Sequence, residues 1–382
     1  MPTTPTPTPT PRIAIIGAGP GGLTCARILQ VHGIPATVHD RASGPDDRNQ
    51  GGTLDLHPDD GQLALEEAGL MEEFTRLARP EGQEMRQFHA ADAAIRFHRR
   101  PTEGQFSAPE IDRGQLRDLL LGSLAPGTVR WNHTLNSVEG PADGPRRLHF
   151  ADGTVVEADL VIGADGAWSK VRRVLSDATP QHIGINYLEA RFDDVETRHR
   201  AIADLVGQGS AMAADGERCL FAQRNSGGHI RVYIIVADSA DWLARAGLTG
   251  QDTDGIRALL LNRYRDWAPG LLRLIAENDG PYIDRPLYAL PVPHTWETNP
   301  TVTLLGDAAH LMPPLGVGVN LAMLDAAELA LAVVGHDSIA DAIRAYEKTM
   351  LPRSNEMQTL LDGAAADLLA DETFDPGHAG AR

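Results

Sequence analysis

Three glycines near the start of the chain have the spacing that binds the pyrophosphate of a dinucleotide. They are Gly17, Gly19 and Gly22, and they follow the apolar run 12–16, which predicts a buried parallel strand. In such a turn the first glycine permits a tight bend, the second lets backbone approach the pyrophosphate, and the third lets helix and strand pack closely. A second predicted strand ends at Asp40, whose carboxylate can accept hydrogen bonds from ribose hydroxyls. This unit alone does not identify the dinucleotide.

Two later strand ends also carry a carboxylate. The strand 301–305 leads to Gly306-Asp307 and then to a glycine-rich turn and a helix start, which contain Pro314, Gly316, Gly318, Val319 and Asn320. Such a turn can direct backbone N–H groups at a ring edge where negative charge accumulates on reduction, and Asp307 can hold a polyol hydroxyl. The strand 159–162 leads to Asp165-Gly166, which caps the strand and opens a predicted helix, and which also fits a plain N-cap. A reducible ring on a polyol chain indicates FAD, and the alternative for the Gly306-Asp307 segment is an ordinary strand–loop–helix connection.

Composition excludes several other classes of protein. The 382 residues carry a formal net charge of −18, which argues against nucleic acid or an anionic membrane as partner. Two cysteines cannot form a disulfide framework and fit a cytoplasmic location. No apolar run approaches the roughly 20 residues that span a bilayer, and the Pro/Thr segment 1–11 is not a secretory signal. The 14 histidines show no metal-ligand spacing, so we expect no metal.

The three motifs, in this order and spacing, resemble the class A flavoprotein aromatic hydroxylases, typified by para-hydroxybenzoate hydroxylase. The resemblance covers about residues 12–361 and is strongest to the tetracycline-inactivating FAD-dependent monooxygenases, in segments 51–57, 110–117 and 306–314. It implies that NADPH or NADH reduces FAD, and that an oxygen atom from O2 enters an electron-rich carbon of an aromatic or polyketide-like molecule. The cofactor supplies the chemistry, and the protein supplies orientation and a dry pocket.

The resemblance also assigns residues, position by position. It implies that FAD is held by the glycine fingerprint together with Asp40, Arg41, Asp55, Arg113, Arg117, Asp165, Asp307 and the turn around residues 314–320. Arg48 matches an arginine that the tetracycline branch uses for NADPH, and a solvated loop charge is the alternative. An arginine in a polar loop suits a nucleotide phosphate.

The sequence departs from the tetracycline branch at several positions. Leu315 alone separates Pro314 from Gly316, where the family has two residues, and Val317 replaces a glutamine. In the predicted substrate layer, this chain has Glu189, Ser210 and Arg231 at three positions where the tetracycline enzymes have other residues. Met212 and Phe221 lie nearby and fit either the core or the lining of the pocket. These departures argue against a tetracycline as natural substrate. Arg231 could stabilise a phenolate and Glu189 could accept a proton, or both are plain sheet-surface charges.

The expected fold is α/β, with a Rossmann-like FAD domain of the para-hydroxybenzoate hydroxylase type. Longer, half-alternating segments between residues 183 and 290 predict a mainly antiparallel substrate-binding sheet. We expect a discontinuous FAD domain at 12–80, 105–178 and 296–335, a substrate domain at 81–104 and 179–295, a bridging C-terminal helix at 336–362, and tails at 1–11 and 363–382. The pocket should lie between the domains of a monomer or weak dimer.

Four other functions compete with hydroxylation. A flavin-linked oxidase or dehydrogenase would use the same motifs without oxygen insertion, and a non-enzymatic FAD-binding protein would use them without turnover. A flavin-dependent halogenase would carry a Trp-x-Trp-x-Ile-Pro segment, which the sequence lacks. A dehydrogenase that binds only NAD would not need the Gly306-Asp307 motif.

Overall fold

The computed structural model of the chain describes residues 10–45, 47 and 51–370, with side chains described as far as Asp362. The strands are β1 (Ile13–Ile16), β2 (Ala36–His39), β3 (Thr53–Asp55), β4 (Met85–Phe88), β5 (Ile95–Arg99), β6 (Glu110–Asp112), β7 (Val129–Arg130), β8 (Leu135–Glu139), β9 (Arg146–Phe150), β10 (Val155–Ala158), β11 (Leu160–Gly163), β12 (Gln181–Phe192), β13 (Ser210–Asp215), β14 (Arg218–Arg224), β15 (Ile230–Ala237), β16 (Ile283–Ala289) and β17 (Val302–Leu304). The helices are α1 (Pro20–Val31), α2 (Leu63–Glu67), α3 (Met71–Leu77), α4 (Arg113–Gly122), α5 (Val195–Arg198), α6 (Arg200–Val206), α7 (Trp242–Arg245), α8 (Thr253–Arg263), α9 (Pro269–Ala276), α10 (Asp307–His310), α11 (Gly318–Gly335) and α12 (Ile339–Ala370).

A five-stranded parallel sheet carries the three predicted motifs. Its strand order is β17-β11-β1-β2-β7, and β1 and β11 are buried along their whole length, as parallel strands covered on both faces must be. Ile16 pairs with Gly163, and Gly163 pairs with Leu304. The loops after β1, β11 and β17 therefore leave the same edge of the sheet side by side.

A seven-stranded sheet forms the second layer, in the order β16-β12-β15-β14-β13-β4-β5. All its neighbours are antiparallel except β13 and β4. The predicted mixed α/β fold with a mainly antiparallel second sheet is thus confirmed. One face packs on helices in a core that includes Leu188, Val232, Ile256 and Leu274. Four of these helices, α5, α6, α7 and α9, were not predicted. Helices this short owe their stability to tertiary packing and not to their own sequence pattern.

The helix predicted after Asp165 is wrong. Residues 165–171 form an irregular turn, and only a 3-10 turn follows at Arg172–Val174. The Asp165 carboxylate accepts hydrogen bonds from Ser169 Oγ at 2.5 Å and from the Lys170 amide at 2.6 Å. Local side-chain bonds of this kind compete with helical ones, so the turn replaces the first helical residues.

The C-terminal helix α12 contacts both layers and continues to Ala370, beyond its predicted end at residue 362. The hydroxyl of Tyr346 donates to the Leu304 carbonyl at 2.9 Å, beneath the parallel sheet. Further along, Leu361 is buried with Ile185 and Met212 of the antiparallel sheet. The helix therefore packs on both sheets, as a bridging helix should.

Helix α11 corrects the expectation that no segment could span a membrane. Its 18 residues, with a mean hydropathy of 1.5, are long and apolar enough by length and composition, although 44% of the helix is buried inside the protein. It packs closely on α1, where a Cβ added at Gly21 would lie 2.8 Å from the Ala322 carbonyl oxygen. A helix that packs in a protein core can also meet the criteria of length and apolarity for a membrane-spanning helix.

Candidate flavin and substrate site

The glycine turn after β1 leaves an open helix N-terminus. Gly17 has a φ of +113°, and a Cβ there would lie 2.2 Å from the Ala164 carbonyl oxygen, while one on Gly22 would lie 2.1 Å from the Gly17 carbonyl oxygen. Around Gly19, in contrast, no atom lies within 4 Å of an added Cβ, and no side chain caps α1. Free N–H groups and the helix dipole at this open position suit a pyrophosphate.

Asp40 and Arg117 lie against this turn. The Asp40 carboxylate accepts hydrogen bonds from the Ala18 and Ala42 amides, both at 2.7 Å. The buried Arg117 donates to the Ala18 carbonyl at 3.4 Å and to the carbonyl of Pro45, and its guanidinium lies 5.3 Å from the centre of the Trp131 ring. The two charged side chains therefore hold the glycine turn and the loop after β2 together. Arg41 is exposed in that loop.

A buried arginine that sequence analysis missed joins the other two motifs. Arg172 donates to the carbonyls of Asp307 at 3.3 Å and Ala308 at 3.0 Å, and also to that of Ala167. It thus ties the Asp165-Gly166 turn to the Gly306-Asp307 turn on the neighbouring strand. Its position seven residues after Asp165, at the end of a polar turn, is the only signal that the sequence offers.

The Asp307 side chain is accessible to solvent, although many protein atoms surround its carboxyl group. Burial raises the pKa of its carboxyl, and the charges of His310, Arg113 and Arg172 oppose that rise. Asp307 is also the first residue of α10. A carboxylate in this position can accept hydrogen bonds from a ligand's hydroxyl groups.

A buried charge network lies beneath the Gly306-Asp307 turn. Asp325 accepts hydrogen bonds from the Gly306 amide at 3.0 Å, from His310 Nε2 at 2.5 Å and from Arg353 at 2.9 Å. Burial by itself would lower the pKa of His310 and raise that of Asp325, but their mutual attraction outweighs it and shifts both pKa values the other way. The network therefore fixes the turn through an imidazolium–carboxylate pair.

The loop between Pro314 and Asn320 follows the Gly306-Asp307 turn and α10 in the chain. Pro314 and Gly316 are exposed, Gly318 and Val319 are half-buried, and Gly316 has a φ of +93°. Asn320 is fully buried.

Asn320 fixes the first turn of α11 to β3. Its Nδ2 donates to the Asp55 carbonyl at 2.8 Å, and its Oδ1 accepts from the His57 amide at 3.1 Å. The loop itself packs through Met312 and Val317 onto the antiparallel sheet. This packing joins the flavin-binding motifs to the second layer.

His57, whose amide donates to Asn320, lies between the carboxylates of Asp55 and Asp60. Its Nε2 donates to Asp55 at 3.0 Å, and its Nδ1 lies 3.6 Å from an Asp60 oxygen. The hydrogen bond to Asp55, and then that to Asp60, raise the pKa of His57 to about 10. The imidazolium therefore holds Asp55, one of the residues predicted to contact FAD.

This raised pKa predicts a loss of stability in alkaline solution. A group whose pKa is raised in the folded state stabilises it fully below its ordinary value of 6.5, and that contribution disappears as the pH rises through about 10. In urea titrations between about pH 7 and about pH 10, the wild type should lose more unfolding free energy than His57→Gln. The exposed His336→Gln should keep the wild-type pH slope, and equal slopes for all three proteins would refute the role of His57.

The face of the antiparallel sheet that packs against Met312 and Val317 carries polar and aromatic side chains. In register across its strands, Met212 pairs with Phe221, Phe221 with Tyr233, and Tyr233 with Glu189. A second row runs from Ser210 through residue 223 to Arg231. The five substrate-side residues predicted from the sequence thus lie together on two adjacent rows of one face.

Two functional candidates on this face escaped the sequence analysis. The Glu189 side chain, 2% exposed, accepts from Arg231 at 3.2 Å and from Arg285 at 2.8 Å. The Tyr233 hydroxyl points at the loop before β3, since a Cβ on Gly52 would lie 2.6 Å from it. Burial raises the pKa of Tyr233. Arg285 and Tyr233 join the site only through strand pairing, which no local motif reveals.

The geometry fits FAD. The open position at Gly19 suits the pyrophosphate, Asp40 and Arg117 border the turn, and Asp307 lies further along the same sheet edge. The family model for the FAD binding domain matches residues 10–240 and 292–359. The chain belongs to the FAD binding domain family. It is a FAD-dependent monooxygenase of the class A flavoprotein hydroxylase type, for which NAD(P)H is the usual co-substrate.

Several curated relatives in this family are monooxygenases. The chain is 30% identical to 3-amino-4-hydroxybenzoate 2-monooxygenase of Streptomyces cremeus, with 91% of this chain and 84% of the relative covered. It is 28% identical to monooxygenase asqM of Emericella nidulans, with 91% and 93% covered. The predicted enzyme class and cofactor are thus confirmed.

Solved structures of the family share the fold. The chain superimposes on 2,6-dihydroxypyridine-3-hydroxylase of Arthrobacter nicotinovorans with a TM-score of 0.80 and 20% identity, covering 97% of this chain and 96% of that one. The tetracycline destructase Tet(51) gives a TM-score of 0.67 and 18% identity, covering 93% and 91%. At these identities the likeness concerns the fold alone.

Two expectations remain predictions. Arg48, proposed for NADPH, lies outside the described residues. Among the residues that the structure describes, no group of three His, Cys, Asp or Glu side chains could hold a metal ion. A cavity of about 350 Å³ is lined by residues that include Arg86, Gly207 and Arg224, and none of its lining residues belongs to the three motifs.

Proposed function

We propose that the chain inserts one oxygen atom from O2 into an electron-rich ring carbon of a phenolic or enolic small molecule, with NAD(P)H as reductant. The observation that carries this proposal is the row of Phe221, Tyr233 and Glu189 on the sheet face that packs against the loop after Asp307. An aromatic side chain, a phenol and a carboxylate are the groups that bind and orient a hydroxylated ring. Bound FAD would supply electron transfer and the activation of O2.

The charges on this face favour a substrate that carries a negative charge. Two guanidinium groups, those of Arg231 and Arg285, meet the single carboxylate of Glu189, so positive charge is in excess there. Charge in a site with little water is compensated by a ligand of opposite sign. A phenolate, an enolate or a ring carboxylate would provide it, and Tyr233 would hydrogen-bond the ring hydroxyl. The substrate of the Streptomyces cremeus relative, by its name, is a hydroxylated benzoate.

The two largest hydrophobic cores of the described residues are separate, which agrees with a flavin-binding domain and a substrate-binding domain. We propose a FAD domain at 12–80, 105–178 and 296–335, a substrate domain at 81–104 and 179–295, and a bridging helix at 336–362. One core draws on residues such as Ile15, Leu116 and Val302, and the other on residues such as Leu188 and Leu274, which supports this division. We further propose a cytoplasmic monomer or weak dimer without nucleic-acid or membrane partners, in line with the formal net charge of −18.

The test is a panel of polyphenols, hydroxybenzoates, aromatic polyketides and tetracyclines, with each compound added to the FAD-loaded protein and NADPH or NADH. A substrate should accelerate NAD(P)H consumption and appear in the mass spectrum with one additional oxygen atom. Consumption that yields only hydrogen peroxide across the panel would favour the oxidase alternative. The absence of any NAD(P)H consumption would favour a non-enzymatic FAD-binding protein.

Tyr233→Phe should lower turnover of the best substrate by roughly tenfold or more, since a hydrogen bond to a reacting hydroxyl is lost. Flavin content should not change. The matched control is Tyr264→Phe, because the Tyr264 hydroxyl donates to the Ile235 carbonyl at 2.9 Å and lies in the helical core. Equal turnover in wild type and Tyr233→Phe would remove Tyr233 from the site.

A further inference from the structure

Three arginine side chains line a single cavity of about 350 Å³. They come from three different elements: Arg86 from β4, Arg224 from the end of β14, and Arg200 from the start of α6. The chain as a whole is acidic, with a formal net charge of −18, so a concentration of guanidinium groups stands out. The arginine cavity, defined by these three residues, is a candidate site for an anion.

The arginine cavity lies on the side of the antiparallel sheet that the helices cover. Arg86 pairs with Ala211, and Arg224 pairs with Ile230; both partners belong to the core that the sheet shares with α6, α8 and α9. Directly opposed residues of neighbouring strands share a face of the sheet. Met212 follows Ala211 and lies on the other face, with the proposed substrate residues, because successive side chains of a strand alternate. A ligand in this cavity therefore does not occupy the proposed substrate site.

Arg224 is firmly held and still keeps donors for a ligand. Its side chain, 10% exposed, donates to the carbonyls of Gly207 and Ala203 and to a Glu196 oxygen at 2.5 Å. A guanidinium group has five N–H donors, and these three bonds leave two without a partner among the described residues. Glu196 itself is 60% exposed at the cavity. Its carboxylate competes with an anion for this arginine.

Arg86 is fixed in the same way from the neighbouring strand. It donates to two of the last carbonyls of α6, those of Asp204 at 2.6 Å and Leu205 at 3.2 Å, and twice to one oxygen of the buried Glu84. Carbonyls at a helix C-terminus have no partner within the helix, so Arg86 and Arg224 together cap the end of α6. Capping explains why these two arginines are buried, and it does not explain the third.

Arg200 has no structural role of this kind. It is the first residue of α6, where the helix dipole disfavours a cation. Its exposed side chain forms no hydrogen bond or ion pair with any residue that the structure describes, including Asp204 one turn away. It lines the cavity together with Ala203 and Gly207, on one face of the helix. A guanidinium group that lines a cavity without a counter-ion is available to a ligand.

We propose that the arginine cavity binds a phosphate group, either as free phosphate or as a small phosphate monoester. Guanidinium groups that come from two strands and a helix suit an anion with at least three acceptor oxygens, whereas a carboxylate has only two. The volume of about 350 Å³ leaves room for a small organic group beside the phosphate. This site is distinct from the FAD and substrate sites, so the inference does not depend on the proposed function.

Isothermal titration calorimetry with inorganic phosphate, in Hepes buffer at constant ionic strength, tests the proposal on the FAD-loaded protein. Loading with FAD keeps the candidate pyrophosphate position at Gly19 filled, so that this helix N-terminus does not take up phosphate. The wild type should bind phosphate saturably. Arg200→Gln should weaken binding by about tenfold, as expected for the loss of one charge-assisted hydrogen bond. Arg200→Lys keeps the charge and should lose less.

Glu196→Gln should have the opposite effect. It removes a negative charge from the cavity and frees a donor of Arg224, so phosphate should bind about threefold more tightly or better. A merely structural ion pair would give no gain in affinity. The matched control is Arg147→Gln on β9, which removes another exposed arginine without an ion-pair partner among the described residues. It should bind phosphate like the wild type.

A second titration with glycerol phosphate distinguishes the two sources of the phosphate group. Tighter binding of glycerol phosphate than of inorganic phosphate would support the site with a monoester as its ligand, and equal or weaker binding would support it with free phosphate. No saturable binding of either compound to the wild type would overturn the inference, as would equal phosphate affinities in Arg200→Gln and Arg147→Gln. Because Arg200 is exposed and unpaired among the described residues, Arg200→Gln without ligand should unfold at the same temperature as the wild type. Weaker binding in this variant is then a property of the cavity and not of misfolding.

Discussion

Replacing Asp307 by Ala is expected to weaken FAD binding by roughly ten- to a hundredfold, which corresponds to a hydrogen bond to a charged group worth about 1.5–3 kcal/mol. Protein atoms surround the Asp307 carboxyl group, and the positive charges of His310, Arg113 and Arg172 act on it. These charges favour the ionised carboxylate, which can accept a hydrogen bond from a ligand hydroxyl. The dissociation constant is measured by quenching of FAD fluorescence, and flavin occupancy by the ratio of visible to ultraviolet absorbance of the purified protein.

Two further variants make the result specific. Asp307→Asn keeps a hydrogen-bond acceptor and should lose less affinity than Asp307→Ala. Asp341→Ala removes an exposed carboxylate at the start of α12, where it pairs with Arg344, and should retain FAD fully. Full flavin occupancy in Asp307→Ala would show that the Gly306-Asp307 turn does not hold the cofactor.

Asp325→Asn should have the largest effect on stability, a loss of roughly 3–5 kcal/mol of unfolding free energy. The side chain of Asp325 is 1% exposed and accepts hydrogen bonds from His310, Arg353 and the Gly306 amide. Removing its charge leaves the buried imidazolium of His310 without a counter-ion. Urea denaturation measures the loss, and the variant should also bind FAD more weakly, because the single amide oxygen of Asn cannot serve all the donors that the two carboxylate oxygens accept from.

The matched control is Glu72→Gln, which breaks an exposed ion pair with Arg76 at 3.0 Å. Exposed pairs of this kind contribute about 0–1 kcal/mol. The pH dependence has a definite sign. The lowered pKa of Asp325 gives stability that is lost in acid, and the raised pKa of His310 gives stability that is lost as the pH rises. A stability of Asp325→Asn equal to that of Glu72→Gln would contradict the role of the buried pair.

The flavin-binding half of the site could be predicted because its signals are local. Gly17 and Gly22 are required where an added Cβ would overlap a carbonyl oxygen, and Asp40 and Asp307 follow strands that can be recognised by their apolar runs. Parallel neighbours bring their carboxyl ends to one sheet edge. Motifs that lie far apart in the chain can therefore be assigned to one ligand from spacing alone.

Other residues had no local signal. Arg172 acts by reaching across to the backbone of the neighbouring turn, and the helix predicted after Asp165 gave way to side-chain bonds within the turn. Helices such as α6 and α9 form against the antiparallel sheet rather than from their own pattern. Each of these features depends on a partner distant in the chain, so propensity and periodicity alone do not predict it.

What the sequence by itself determined was the cofactor class and the parallel sheet that binds it, because glycine spacing and strand-end carboxylates encode backbone geometry directly. Only the tertiary structure decided which side chains from distant parts of the chain meet. Glu189 meets Arg231 and Arg285 through strand register, and Trp168 of the turn after β11 lies beside Tyr288 of β16. Contacts of this kind depend on how the strands pair and how the sheets pack. Many burial contacts spread along the chain fix that arrangement together, and no single motif encodes it.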